Sequence, residues 1–87
     1  MIVVAKNRLV KAIELHPSAN QVLLGWYKII SDSDFSSEHD LRSTFSNLNS
    51  SNDQYDFSVP GTNLQIRTMI NFDTQVTYIE AIQPSRS

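Results

Sequence analysis

The chain has 87 residues, of which 40% are hydrophobic and 18% are charged, with two glycines and three prolines. This composition is that of an ordinary globular protein and excludes collagen-like, low-complexity and disordered classes. The length predicts one domain over residues 1–87, with a thin core that buries about 60–65% of the unfolded surface. There is no cysteine, which excludes both a disulfide framework and a thiolate zinc site.

The net charge of −2 is unevenly distributed along the chain. The first 28 residues carry four basic side chains and one acidic one, whereas the rest carry three basic and eight acidic ones. We therefore expect any RNA-binding surface to use Lys6, Arg8 and Lys11, although these cations could equally just solvate a helix face. The opening apolar run is too short for a signal peptide or a membrane span, so we expect a cytoplasmic protein.

The first third of the chain predicts a strand and two helices. Residues 2–5 are mostly β-branched and predict a short strand buried on both faces. Asn7 is expected to cap a first helix. This helix should end at His16, because Pro17 disfavours the helical conformation of the residue before it. Ser18 is expected to cap a second helix with a wide apolar stripe, in which Trp26 is a core residue. The two helices should form a hairpin that covers a sheet.

The remainder predicts a third helix and three strands. A cap at residues 36–37 predicts a short helix, and the Ser- and Asn-rich residues 46–53 predict an exposed loop. Apolar and polar residues then alternate over 55–59 and 64–72, a turn follows at 73–74, and residues 75–82 are expected to form the last strand of an antiparallel meander. The fold class expected is therefore α+β, in the order β-α-α-α-β-β-β, with the helices on one face of the sheet.

Several short segments, spread over nearly the whole chain, share their order and spacing with a known toxin family. They are Lys6 with Leu9 and His16-Pro17, the run Leu23 to Lys28, Asp40-Leu41-Arg42 with Thr44-Phe45, Gly61 with Asn63, Ile70-Asn71-Phe72, and Tyr78-Ile79. On these segments the chain resembles the HigB-like toxins of the RelE/ParE superfamily. The resemblance implies a RelE-like fold, a ribosome-dependent mRNA interferase without metal or cofactor, and a helix-turn-helix antitoxin similar to HigA.

The resemblance also implies a catalytic sheet face with basic side chains, on which a base activates the ribose 2′-hydroxyl and cations stabilise the phosphate. This chain departs from the family pattern at three places. Gln65 stands where an arginine is expected, Glu80 stands where another basic residue is expected, and residues 83–87 contain neither the histidine nor the tyrosine of the family's tail. Glu80 would repel phosphate unless it pairs with Arg67.

Arg67 is the candidate catalytic residue, since it lies on the same strand face as Gln65, one pleat further along. Gln65 joins the three basic residues of the first helix as a candidate RNA-binding residue. The alternative for Arg67 is a solvated or salt-bridged surface arginine. Two alternatives to an active toxin also stay open: a degenerate toxin-fold protein that only binds an antitoxin, and an unrelated interaction domain.

Overall fold

The helices and strands form an α+β fold, which confirms the predicted class. The computed structural model describes residues 1–46 and 48–84. The elements are β1 (Ile2–Val4), α1 (Lys6–Leu15), a 3₁₀ turn (Pro17–Ala19), α2 (Asn20–Asp32), α3 (Glu38–Thr44), β2 (Leu48–Ser51), β3 (Gln54–Ser58), β4 (Leu64–Asn71) and β5 (Val76–Pro84). The strands form one mixed sheet in the order β1-β5-β4-β3-β2. Within the described parts of the chain, no helix is long and apolar enough to cross a membrane.

The core lies between the helices and one face of the sheet. Strand β4 alternates as predicted: Leu64, Ile66, Thr68 and Ile70 are buried, whereas Arg67 is half-buried and Met69 is exposed. From the helix side, Trp26 is 6% exposed and its ring meets that of Phe57 edge to face, with 5.4 Å between centroids. This confirms Trp26 as a core residue, and each such buried apolar side chain stabilises the fold by about 1.5–3 kcal/mol.

Strand β1 lies at the edge of the sheet and pairs with β5 in the parallel sense. Its side chains Ile2 and Val4 are 65% and 41% exposed, so the prediction of a strand buried on both faces is wrong. The reason is that helices cover only one face of the sheet, and Ile2 and Val4 lie on the other face, beside Val76 and Tyr78. The parallel pairing also makes the sheet mixed instead of antiparallel.

The first two predicted helix caps are wrong and the third is confirmed. Helix α1 begins directly after β1, so the chain turns at Ala5 in the left-handed region, with φ of 67°, and Asn7 lies inside the helix. Ser18 lies in the 3₁₀ turn, which runs straight into α2 and leaves no place for a side-chain cap. At α3 the side chain of Ser37 accepts a bond from the Asp40 backbone N–H, as the sequence predicted.

The predicted loop at residues 46–53 contains a strand, which corrects the interpretation of that segment. Residues Leu48–Ser51 pair with β3 in the antiparallel sense, through a two-residue turn in which Asn52 has φ of 56°. Leu48 is buried at 4% exposure. The other three side chains of β2 are polar and exposed at the sheet edge, so the period-two pattern that reveals half-buried strands is missing. Asn47 lies outside the described residues.

Candidate functional site

The candidate site lies on the side of the sheet that the helices leave uncovered, which we call the open sheet face. Its central residues are Asp56 on β3, the three residues Gln65, Arg67 and Met69 on β4, and Tyr78 on β5. Cross-strand register places Asp56 directly opposite Arg67, and Met69 directly opposite Tyr78. Because these side chains stand on regular strands, their relative positions are fixed by the backbone pairing.

Arg67 forms an ion pair with Asp56. Its Nε atom lies 3.4 Å from Asp56 Oδ1, and the two side chains are 41% and 17% exposed. Both paired atoms are enclosed, but their geometry does not satisfy a hydrogen bond. An ion pair with one exposed partner contributes little to stability, about 0–1 kcal/mol. The pair therefore positions Arg67 more than it stabilises the fold, and the Arg67 side chain remains partly exposed.

A β-bulge lies beside Arg67. Arg67 pairs with Ala81 on β5, whereas the next residue, Thr68, pairs with Ile79, so Glu80 is the extra residue. Bulges break the ladder locally and are common next to functional sites. Arg67 takes Asp56 as its ion-pair partner, and the alternative pairing with Glu80 is not formed in the described residues.

Arg8 reaches the edge of the open sheet face at this bulge. Strand β1 ends at Val4, opposite Tyr78, so within the described residues no strand lies beside β5 on that side beyond this point. The Arg8 guanidinium donates to the Glu80 carbonyl at 2.6 Å and to the Tyr78 hydroxyl at 3.4 Å, and it lies 5.9 Å from the centre of the Tyr78 ring. Arg8 of α1 is thus held beside β5, the strand that pairs with β4.

The other two basic candidates of α1 take different positions. Lys6 Nζ lies 4.7 Å from the centre of the Tyr27 ring on α2. Because Lys6 and Arg8 are two residues apart, their side chains lie on opposite sides of the helix. Lys11 is exposed, three residues from Arg8 on a neighbouring part of the helix surface, and makes no ion pair within residues 1–46 and 48–84. The three cations therefore do not form one cluster.

Gln65 lies on the open sheet face one pleat from Arg67, paired with Ser58 on β3 and Gln83 on β5. Its half-buried amide carries both donors and acceptors and could bond a phosphate oxygen or a base edge. Of the candidate residues, the structure thus brings Gln65 and Arg67 together and holds Arg8 at the edge of the same face.

The opposite end of the open sheet face has a different charge. There a cavity of about 540 Å³ is bounded by Met69 and Tyr78 and lined further by two aspartates, Asp53 and Asp73, with no cation among the described residues of its lining. An anionic ligand is disfavoured between two carboxylates. The Arg67 end is therefore the part of this face that suits a phosphate. A second, largely apolar cavity of about 320 Å³ lies on the helix side, between α2 and the β3–β4 turn.

Asp56 is the residue that the sequence reasoning missed. Asp56 alternates with the apolar residues of the run from Tyr55 to Val59, so the sequence alone places it on the polar face of β3. Its pairing with Arg67 depends on the register of the β3–β4 hairpin, which the four-residue turn at 60–63 does not define on its own.

Comparison with known proteins identifies the family. No curated protein matches the chain. The HigB toxin family, described as the RelE-like toxic component of a toxin–antitoxin system, has a model that matches residues 19–84. The match spans most of the chain and includes Gln65, Arg67 and Glu80, whereas the basic residues of α1 precede it. The chain therefore belongs to the HigB family of RelE-like toxins.

Proposed function

We propose that this toxin is an mRNA endonuclease that acts on ribosome-bound mRNA in the cytoplasm and is held inactive by a helix-turn-helix antitoxin related to HigA. The family supplies the role of toxin and implies an antitoxin as partner. The observation that carries the proposed activity is the position of Arg67. Its side chain is 41% exposed on an uncovered sheet face, beside the bulge where Arg8 is held.

In this proposal Arg67 is the catalytic residue. Its planar guanidinium can hold two oxygens of the scissile phosphate and stabilise the negative charge that develops as the 2′-oxygen attacks. Gln65, one pleat away, binds the RNA beside that phosphate. Arg8 at the edge of the face contacts the next part of the backbone, and Lys6 and Lys11 bind ribosomal RNA through their charge, independently of sequence.

A second candidate function is favoured by the charges around Arg67. Its ion pair with Asp56 and the presence of Glu80 in the adjacent bulge balance the cations at this end of the open sheet face. A face with balanced charge attracts RNA weakly. The chain would then be a degenerate toxin that keeps its antitoxin-binding surface without cutting RNA.

Tightly repressed expression in a bacterial host tests the two candidates. Growth would be followed after induction for the parent, Arg67→Ala, Arg67→Lys and Lys28→Ala, with equal soluble protein levels verified by immunoblot. Lys28 is an exposed cation on α2 and serves as the matched control for loss of one positive charge. Primer extension on a reporter mRNA would locate cuts.

Growth arrest with mRNA cuts in the parent and in Lys28→Ala, both lost in Arg67→Ala, supports the proposed activity. A soluble, folded parent that causes neither arrest nor cuts contradicts it. In that case, stable complex formation with a co-expressed helix-turn-helix protein from the neighbouring gene would establish the second candidate. Growth arrest that persists in Arg67→Ala would contradict only the proposed role of Arg67, not the proposed toxin activity.

A further inference from the structure

We propose that Asp56 is the general base of the cleavage reaction, with Arg67 holding the phosphate beside it. This inference rests on the proposed function and adds the residue that takes the proton from the ribose. Among the described residues, Asp56 supplies the carboxylate oxygen that lies within 4 Å of an Arg67 nitrogen. It lies on β3, next to the strand that carries the candidate phosphate-binding group.

The backbone holds the two side chains together. Asp56 and Arg67 are direct partners at the centre of the β3–β4 ladder, with two residue pairs on either side of them. One residue along, the buried Thr68 hydroxyl donates to the Tyr55 carbonyl at 2.8 Å, which adds a bond between the same two strands. Catalytic groups on paired strands are placed more accurately than groups on loops.

The carboxylate of Asp56 presents two different oxygens. Oδ1 is enclosed against Arg67 Nε, whereas Oδ2 is not among the enclosed atoms, and the side chain keeps 17% of its surface exposed. The residue facing Asp56 from β2 is Asn49, and its neighbours along the polar face of β3 are Gln54 and Ser58, none of which carries a charge. Arg67 is therefore the charged group that directly faces Asp56 across the paired strands, and Oδ2 is free to accept a proton.

In the proposed reaction, Asp56 acts on the ribose 2′-hydroxyl and Arg67 binds the adjacent phosphate. Asp56 takes the proton from the 2′-hydroxyl while the 2′-oxygen forms a bond to the adjacent phosphorus and the bond from phosphorus to the 5′-oxygen breaks. The leaving 5′-oxygen takes a proton from water, and Asp56 later returns its proton to solvent. The products are a 2′,3′-cyclic phosphate and a 5′-hydroxyl, and Arg67 stabilises the charge on the phosphoryl oxygens throughout.

Asp56→Asn tests this role, with Asp53→Asn as the matched control. Asp53 lies in the β2–β3 turn, and its replacement makes the same change of charge outside the ion pair. Cleavage would be measured on purified mRNA-programmed ribosomes at neutral pH, and binding would be measured by cosedimentation with ribosomes carrying a 2′-deoxy substituted mRNA that cannot be cut. Thermal unfolding would verify that each variant is folded.

A general base contributes about 10²–10⁴-fold, so cleavage by Asp56→Asn should fall by that factor. Binding to the uncuttable substrate should be unchanged or tighter. Cleavage by Asp56→Asn at the parent's rate or faster would overturn the role while leaving the proposed function intact. Binding weakened enough to account for the lost cleavage would also overturn it, since Asp56 would then only position Arg67. A folded parent that cleaves nothing would overturn both proposals.

Discussion

Arg8 and Glu80 are 72 residues apart in sequence and are joined by a hydrogen bond of 2.6 Å from the guanidinium to the backbone carbonyl. The bond forms where β1 has ended and where the bulge leaves a carbonyl of β5 outside the regular ladder. Arg8 thereby ties the first helix to the last strand, in addition to lying at the edge of the open sheet face.

The Arg8→Ala variant should therefore be less stable than the parent. Loss of a hydrogen bond of this kind costs about 0.5–1.5 kcal/mol, and the exposure of Arg8 places the expected loss near the lower limit. Urea denaturation would measure the change in the free energy of unfolding. Lys11→Ala removes a charge from the same helix and should change stability by less than about 0.5 kcal/mol. Equal values for the two variants would contradict the structural role of Arg8.

Leu48 tests the strand at residues 48–51. The Leu48→Ala variant should lower the free energy of unfolding by about 2 kcal/mol or more, because it leaves a cavity at a buried site. Asn49→Ala, at the next and exposed position of the same strand, should cost less than about 0.5 kcal/mol. Chemical denaturation with matched slopes would compare the two variants. An equally small effect at both positions would mean that residues 48–51 are not docked on the core.

The contrast between β2 and β4 explains which parts of the fold the sequence could predict. In β4 three of the four alternate residues on one face are apolar and the fourth is Thr68, so both the strand and its buried face follow from the period-two pattern. In β2 only Leu48 is apolar, and the strand forms because its backbone pairs with β3. The parallel pairing of β1 with β5 is similarly a long-range contact, which no local pattern in Ile2–Val4 specifies.

The candidate site was predictable to the same extent. Alternation placed Gln65 and Arg67 on one polar face, which the structure confirms. The partner of Arg67 depends on hairpin register and on the bulge at Glu80, and both are set by contacts between strands. The three cations of α1 looked like one group in sequence, but a helix turns 100° per residue and sends Lys6 and Arg8 to opposite sides.

Helix α3 should make stability depend on pH in the acid range. The bond from Arg42 holds the pKa of Glu38 below its ordinary value of 4.5, and bonds from Ser36 hold the pKa of Asp40 below 3.8. A carboxyl whose pKa is lowered by folding stabilises the folded state when it is ionised. That contribution is complete above the unfolded-state pKa values and is lost as the pH falls through the lower, folded-state values.

The free energy of unfolding should therefore decrease as the pH is lowered below about 4.5, and Glu38→Gln should reduce the steepness of that decrease. Urea titrations at several pH values between 3 and 6 would measure both slopes. Glu14→Gln is the control, because Glu14 is an exposed carboxylate on α1 without an ion pair in the described residues. If the slope is the same for Glu38→Gln and the parent, the bond between Arg42 and Glu38 does not contribute to the acid response.

The two glycines should respond in opposite directions to replacement by alanine. At both positions a Cβ atom would meet nothing within 4 Å, so steric contacts do not distinguish them and only backbone conformation does. Gly61 has φ of 75° in the β3–β4 turn, where a left-handed alanine costs about 1–2 kcal/mol. Gly25 lies inside α2, where alanine is favoured over glycine by about 0.5–1 kcal/mol. Thermal unfolding should therefore give a lower Tm for Gly61→Ala and a higher Tm for Gly25→Ala. A rise in Tm for Gly61→Ala would show that the turn adopts another conformation.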